Sequence, residues 1–256
     1  IFINEAFSCS HRKQASIHNI TKFIDSYGGP ILEKEIRSIE LITKNKKKPV
    51  TCIIGGSKVS SKINILTSLT EKSDNLVIVG AMANNFLKFK GINVGASLIE
   101  KESENTVKNI NTLAEKNKCT IIIPIDCNTS TNVNGDPTYK SLKDISSEDM
   151  ILDIGKNTID IINKTIDASS TVFWNGPAGY YENKNFTTGS LCIAKKIAEN
   201  TKSKSLISIV GGGDTVAVIR NIGLDKTFTH LSTAGGAFLE SLEGKELPGI
   251  KALRKN

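Results

Sequence analysis

Three short runs rich in Ile and Val in this chain each end in glycine and pass straight into a helical pattern. Residues 51–54 run into Gly55-Gly56, residues 76–79 into Gly80, and residues 207–210 into Gly211-Gly212-Gly213. None of these runs alternates apolar with polar side chains throughout its length. A strand with one face in water must alternate, because successive side chains point to opposite faces; a strand covered on both faces need not. Residues 119–123 and 171–174 read as two further buried strands. Helical spacing fills the intervals: Val59, Ile63 and Leu66 recur at i, i+4 and i+7, and helices are predicted over 102–116, 157–167, 187–200 and 215–221. Repeated strand–helix alternation of this kind predicts an α/β domain with a doubly wound parallel sheet.

The first thirty residues stand outside that pattern. Residues 1–3 read as one strand, residues 11–27 are polar and irregular, and Gly28-Gly29-Pro30 punctuates the chain. One amphipathic helix follows over 31–42, with Ile31, Glu35, Ile39 and Ile42 at helical spacing, and the lysine-rich residues 44–49 lead into the first sheet strand. With 256 residues, the chain has room for one large domain plus a fragment. Aromatic residues are only 5%, which leaves the core to Ile, Leu and Val.

Several classes of function are disfavoured. The longest apolar run, 76–83, is far short of the roughly 20 residues needed to cross a bilayer. The opening IFINEAF has no basic segment of a secretory signal, so a cytoplasmic location is expected, without membrane association. A net charge of +7 raises the question of nucleic acid. The lysines are spread along the chain, however, and no aromatic residues interleave with them as a single-strand binding surface requires. A solvated lysine-rich surface with a few phosphate-binding lysines is expected, and no nucleic-acid partner. Cys9, Cys52, Cys119, Cys127 and Cys192 are odd in number and lack both CxxC and zinc spacing, so they are expected as buried free thiols.

The glycine turns are the candidate site. A strand that ends in glycine and turns into a helix aims backbone N–H groups and a positive dipole end at one point, which favours an anion there. In Gly55–Gly56–Ser57–Lys58 and the residues after it, Lys58 and Lys62 stand four apart at a helix start. Two cations there oppose the helix dipole. An anionic ligand would resolve the conflict; two solvated surface lysines are the plain alternative. In GGGDT, Asp214 is either a helix N-cap or a carboxylate partner of Mg²⁺ on a nucleotide, and the two roles are compatible. Val216 stands where a third glycine of GxGxxG would be, and GxxxxGK[ST] is absent, so neither the dinucleotide fingerprint nor the Walker loop is present. A third turn, Ser232 to Ala237, again sets hydroxyls and glycines before a helix over 238–242. Asn175, after Trp174, serves either a ribose or phosphate or merely its own turn.

Taken together, INEAFSCSHR, GGSKVSSKI, FWNGPAGYYE, VGGGDT and HLSTAGGAFLESLEGKELPGI resemble the phosphoglycerate kinases, in the same order and at similar spacing over essentially the whole chain. The resemblance implies a Rossmann-like three-layer sheet with a truncated second domain. Residues 1–30 would be a remnant of the amino-terminal substrate domain, 31–45 an interdomain helix, 46–247 the nucleotide-binding domain, and 248–256 a tail returning to the first domain. It implies reversible phosphoryl transfer between 1,3-bisphosphoglycerate and ADP, giving 3-phosphoglycerate and ATP with Mg²⁺, by a monomer.

By that likeness Lys62 contacts the nucleotide phosphates and Lys58 supports the phosphoryl group in flight. Gly55, Gly56, Ser57 and Gly80 shape the nucleotide pocket, while Asn175 and Glu182 meet phosphate and ribose. Asp214 serves the metal, Gly211, Gly212, Gly213 and Thr215 line the phosphates, and Thr233, Gly235 and Gly236 form an anion-binding helix start. Arg12 is the one substrate-phosphate ligand from the other domain. Gln14 replaces a family histidine, Ala81 and Ala234 replace glycines, and Lys156 and Asn157 depart from the DIGPKT pattern. With that domain reduced, Ile1, Phe2, Phe7 and Ile24 are expected to be exposed, and both ends mobile.

Overall fold

The computed structural model describes residues 1–254. A short strand β1 (Phe2–Asn4) pairs in parallel with β2 (Ser26–Gly28), and helix α1 (Pro30–Thr43) follows at once. Proline at the first helical position suits a helix start, because its missing N–H is one that would have no intrahelical partner. No side chain of the preceding residue caps this helix; the Glu5 carboxylate does so, accepting from the N–H groups of Ile31 and Leu32 at 2.8 and 3.0 Å.

The chain then lays down β3 (Val50–Ile54), α2 (Ile63–Lys72), β4 (Asn75–Ile78), α3 (Ala83–Phe89), α4 (Glu104–Lys116) and β5 (Thr120–Ile122). A small antiparallel sheet interrupts it: β6 (Asp126–Ser130), β7 (Thr138–Ser141) and β8 (Met150–Ile154), with β6 in the middle. The second half runs α5 (Lys156–Asp167), β9 (Thr171–Asn175), α6 (Thr188–Ser203), β10 (Ile207–Gly211), α7 (Gly213–Asn221), β11 (His230–Ser232), α8 (Gly235–Leu242) and α9 (Pro248–Leu253).

Six of the strands form one parallel sheet in the order β11-β10-β9-β3-β4-β5. The chain moves outward from β3 to β5, then returns to the other side of β3 with β9 and moves outward again to β11. The winding therefore reverses between β3 and β9, and in open α/β sheets such a reversal leaves a crevice at the strand carboxyl ends. Alternation along the strands feeds two cores. Cys52, Ile54 and Phe173 join one cluster with residues of α1, α2, α4 and α8, while Ile53, Val172 and Trp174 join the other with residues of α5, α6 and α7. The doubly wound α/β fold expected from the sequence is the one observed.

The opening segment departs from expectation at Phe7. The residue is buried at 2% exposure, edge-on to Phe238 with ring centroids 6.5 Å apart, rather than left in solvent. Ile1 and Ile24 are exposed as expected, together with Phe23 and Tyr27, and Phe2 is half-buried. Helix α9 lies against this segment, with the N–H of Gly249 donating to the carbonyl of Ser10 at 2.8 Å. Lys255 and Asn256, the last residues of the predicted tail, lie outside the described residues. All five cysteines are free; Cys52, Cys119 and Cys127 are buried, while Cys9 and Cys192 are only half-buried. Among the described residues no helix is long and apolar enough to cross a membrane.

Candidate functional site

At the reversal of winding the loops after β3 and β9 touch backbone to backbone. A Cβ placed on Gly55 would overlap the carbonyl oxygen of Pro177 and lie 2.7 Å from that of Gly176. Gly176 itself sits at φ +96°, in the left-handed region that glycine adopts without steric cost, and a Cβ there would overlap the Gly55 carbonyl. The crossing is closed by a hydrogen bond from the Gly55 N–H to the Asn175 carbonyl at 2.8 Å.

Around this crossing a polar network ties three loops together. Lys62 Nζ donates to the Gly55 carbonyl at 2.6 Å and to Asn175 Oδ1 at 2.7 Å. Asn175 Nδ2 in turn donates to the Gly211 carbonyl at 2.7 Å, so this buried amide is read on both sides and its orientation is fixed by its partners. The Gly176 N–H donates to Thr215 Oγ1 at 2.7 Å, and the Tyr181 hydroxyl donates to Asp214 Oδ1 at 2.9 Å. Burial pushes the Lys62 ammonium down to about 8, against the opposing pull of the Asp214 charge. The hydrogen bond to Asp214, with burial, pushes the Tyr181 phenol up to about 12.

The network borders a cleft of about 780 Å³. Of the residues singled out in the sequence, Gly55, Gly56, Ser57, Lys62, Gly80, Asn175, Glu182, Gly212, Asp214, Thr215, Gly235 and Gly236 line it, and so does Ala81. Gly211 stands just behind, contributing the carbonyl that Asn175 holds. Gly213 is exposed in the first turn of α7 and does not line the cleft. Thr233 is exposed and Ala234 is buried.

Lys58 and Lys62 part company. Lys58 is exposed and outside the cleft lining. The anion that the lysine-bearing helix start calls for is supplied, in part, by the chain itself: Glu100 Oε2 accepts the Ser60 N–H at 2.9 Å. Hydrogen bonds with Ser60, chiefly, hold the Glu100 carboxyl below its usual range, and the Lys58 charge adds to them. Arg12 is likewise exposed and outside the lining, its Nε donating to His11 Nε2 at 3.2 Å. The His11 ring approaches the start of α8, where a Cβ on Gly236 would lie 3.8 Å from its Nε2.

Two lining residues escaped the sequence reading. Tyr181 reaches Asp214 from a different loop, a pairing that no local pattern announces. Asp153, at 2% exposure on β8, accepts the N–H groups of Gly189 and Ile154 at 2.9 Å each, yet burial outweighs both and pushes its carboxyl up to about 7. The ionised form is thus disfavoured in the fold. Through this group stability is highest below the ordinary aspartate range and falls as pH rises toward 7. Asp153→Asn is expected to flatten the slope of unfolding free energy between about pH 4 and 7; urea melts at a series of pH values measure it, and an unchanged slope would contradict the assignment.

The carboxylates lining the cleft are Asp153, Glu182 and Asp214, and no group of three or more metal-ligating side chains occurs among the described residues. A protein-only metal cage is therefore not what this cleft offers. Glu182 and Asp214 are exposed and Asp153 is buried; an exposed carboxylate such as Asp214 suits instead an Mg²⁺ that arrives with phosphate oxygens and water in its shell.

A sequence profile described as phosphoglycerate kinase matches residues 1–245. The chain belongs to the phosphoglycerate kinase family. Phosphoglycerate kinases of Wolbachia sp. subsp. Drosophila simulans and of Bartonella bacilliformis are 44% and 45% identical to it, over 257 and 262 aligned residues that take in 100% of this chain. The solved phosphoglycerate kinase of Coxiella burnetii superposes with a TM-score of 0.93 at 37% identity, covering 99% of this chain and 65% of that one. That of Pyrococcus horikoshii OT3 gives 0.83 at 27% identity, covering 98% and 63%. The chain spans 65% of the length of the Wolbachia relative and 64% of the Bartonella relative.

Proposed function

We propose that this chain is the nucleotide-binding part of a phosphoglycerate kinase, holding ADP or ATP in the cleft at the reversal of winding. The observation that carries this reading is the Lys62 ammonium, held by Gly55 and Asn175 at the edge of a cleft that also meets the helix starts at Gly212 and Gly235. A fixed cation together with helix amino termini is what a diphosphate requires. Asp214 would hold Mg²⁺ alongside the phosphate oxygens, and Glu182 would meet the ribose. The metal would neutralise charge on the phosphates.

In the complete reaction a phosphoryl group passes between 1,3-bisphosphoglycerate and ADP. Such transfer asks for positioning and cationic stabilisation rather than covalent chemistry from the protein. Lys58 would serve the group in flight, which requires it to turn inward from its exposed position. Arg12 would meet the substrate phosphate, and residues 1–30 would belong to the substrate-binding domain, with α1 as the connection. The second reading is a module that binds nucleotide without catalysis. The span of this chain relative to its family favours that for the 256 residues taken alone.

Calorimetric titration with ADP and Mg²⁺ tests the proposal. Saturable one-to-one binding is expected. Lys62→Ala should weaken it about 10- to 100-fold, since a hydrogen bond to a charged group is worth about 1.5–3 kcal/mol. Affinity should also fall as pH rises through about 8, where Lys62 loses its proton. Through the same group, stability without ligand should rise from about pH 8 toward the ordinary lysine value, because the buried charge is relieved. A folded chain that binds no ADP would overturn the reading.

A further inference from the structure

Helix α7 begins at the main cleft, with Asp214 and Thr215, and its other end meets a second cavity of about 420 Å³. Lys34 of α1, Arg220 in the last turn of α7, Lys226 and a single acid, Asp225, line that cavity. Its walls include Phe228 and His230, each only 8% exposed, so the cations stand around a formed depression rather than on a flat face.

Among the described residues none of Lys34, Arg220 and Lys226 takes part in an ion pair. The acids next to Lys34 on α1 have partners of their own: Glu33 pairs with Arg37, and Glu35 lies behind the cavity wall, 3.0 Å from His230. Arg220 is stabilised by the carboxyl end of its helix, which favours a cation there. Three cations against the one acid of the lining, Asp225, and Glu35 behind His230 leave a local excess of positive charge.

We propose that this cavity binds a phosphate-type oxyanion, seated between Lys34, Arg220 and Lys226. The guanidinium supplies a planar fork that matches two oxygens of a phosphate, and the two ammonium groups act as point charges beside it. The cations reach solvent, so the site is sensitive to salt. It is separate from the nucleotide cleft and does not depend on the function proposed for it.

The probe is inorganic pyrophosphate, titrated into the whole chain at low ionic strength and followed by calorimetry and by amide chemical shifts. The variants are Arg220→Gln with Lys226→Gln, Lys62→Ala in the main cleft, and the charge-matched control Lys164→Gln with Lys116→Gln. The expected result is a binding event that survives Lys62→Ala and the control pair, and weakens at least about tenfold in the Arg220/Lys226 pair. In the unsubstituted chain it should shift the amides of Thr229 and His230. Three results would overturn the proposal: a loss no greater than in the control pair, complete loss in Lys62→Ala, or no shift at Thr229 and His230 while pyrophosphate binds. The shifts are read on the unsubstituted chain, so they decide the matter even where a variant folds poorly.

Discussion

Gly55→Ala should lower the unfolding free energy by about 3 kcal/mol or more, near the upper end of what single substitutions do. The added methyl meets the Pro177 and Gly176 carbonyls, which are backbone, so no side chain can swing away to make room. The loops after β3 and β9 would have to separate. That would stretch the hydrogen bond from Gly55 N–H to the Asn175 carbonyl and withdraw one of the two oxygens that hold Lys62. Stability and nucleotide affinity should therefore fall together. Gly213→Ala is the matched control: nothing lies within 4 Å of the position its methyl would take, and it is helical, so stability should stay within about 0.5 kcal/mol or rise. Urea denaturation of both variants decides the matter. Equal midpoints would show that the crossing is looser than described.

Phe238→Ala should cost about 3–5 kcal/mol, the range for truncating a fully buried aromatic residue. Its ring has no exposed surface and is stacked on Phe173 at 5.8 Å between centroids, with Phe7 edge-on to it at 6.5 Å. One side chain of α8 thus joins the central sheet to the opening segment, and its loss leaves a cavity bordered by both. Phe23→Ala removes the same ring from a position 81% exposed and should change stability by less than about 0.5 kcal/mol. Thermal melts that place the two variants together would refute the packing argument.

What could be read from the sequence follows from how local each cause is. Strands β3, β4, β9 and β10 are largely apolar runs buried on both faces, and such runs announce themselves. The small antiparallel sheet does not. Its strand β6 is Asp-Cys-Asn-Thr-Ser, buried because its polar atoms are satisfied: the Asp126 carboxylate accepts the N–H groups of Asn157 and Thr158 at 2.8 Å each. Partners thirty residues away leave no period in the chain. Phe7 is buried against expectation for a related reason, since a ring that covers it comes from α8.

In the site, the glycine turns were legible because the backbone itself demands them. The different fates of Lys58 and Lys62 were not. Both lysines fit the same helix start, and what separates them is Asn175 on the other side of the crossing, which draws Lys62 inward, and Glu100 beside Lys58. Tyr181 and Asp153 act through partners on other elements, so neither stood out in the chain.

An ammonium group has three N–H bonds. In Lys62 two of them already point at Gly55 and Asn175, so the third is offered on a side chain that can no longer wander. Immobilising a long side chain on binding otherwise costs about 0.5–1.5 kcal/mol in lost rotational freedom. Here that ordering was completed when the chain folded, and a ligand entering the cleft has only itself to restrain.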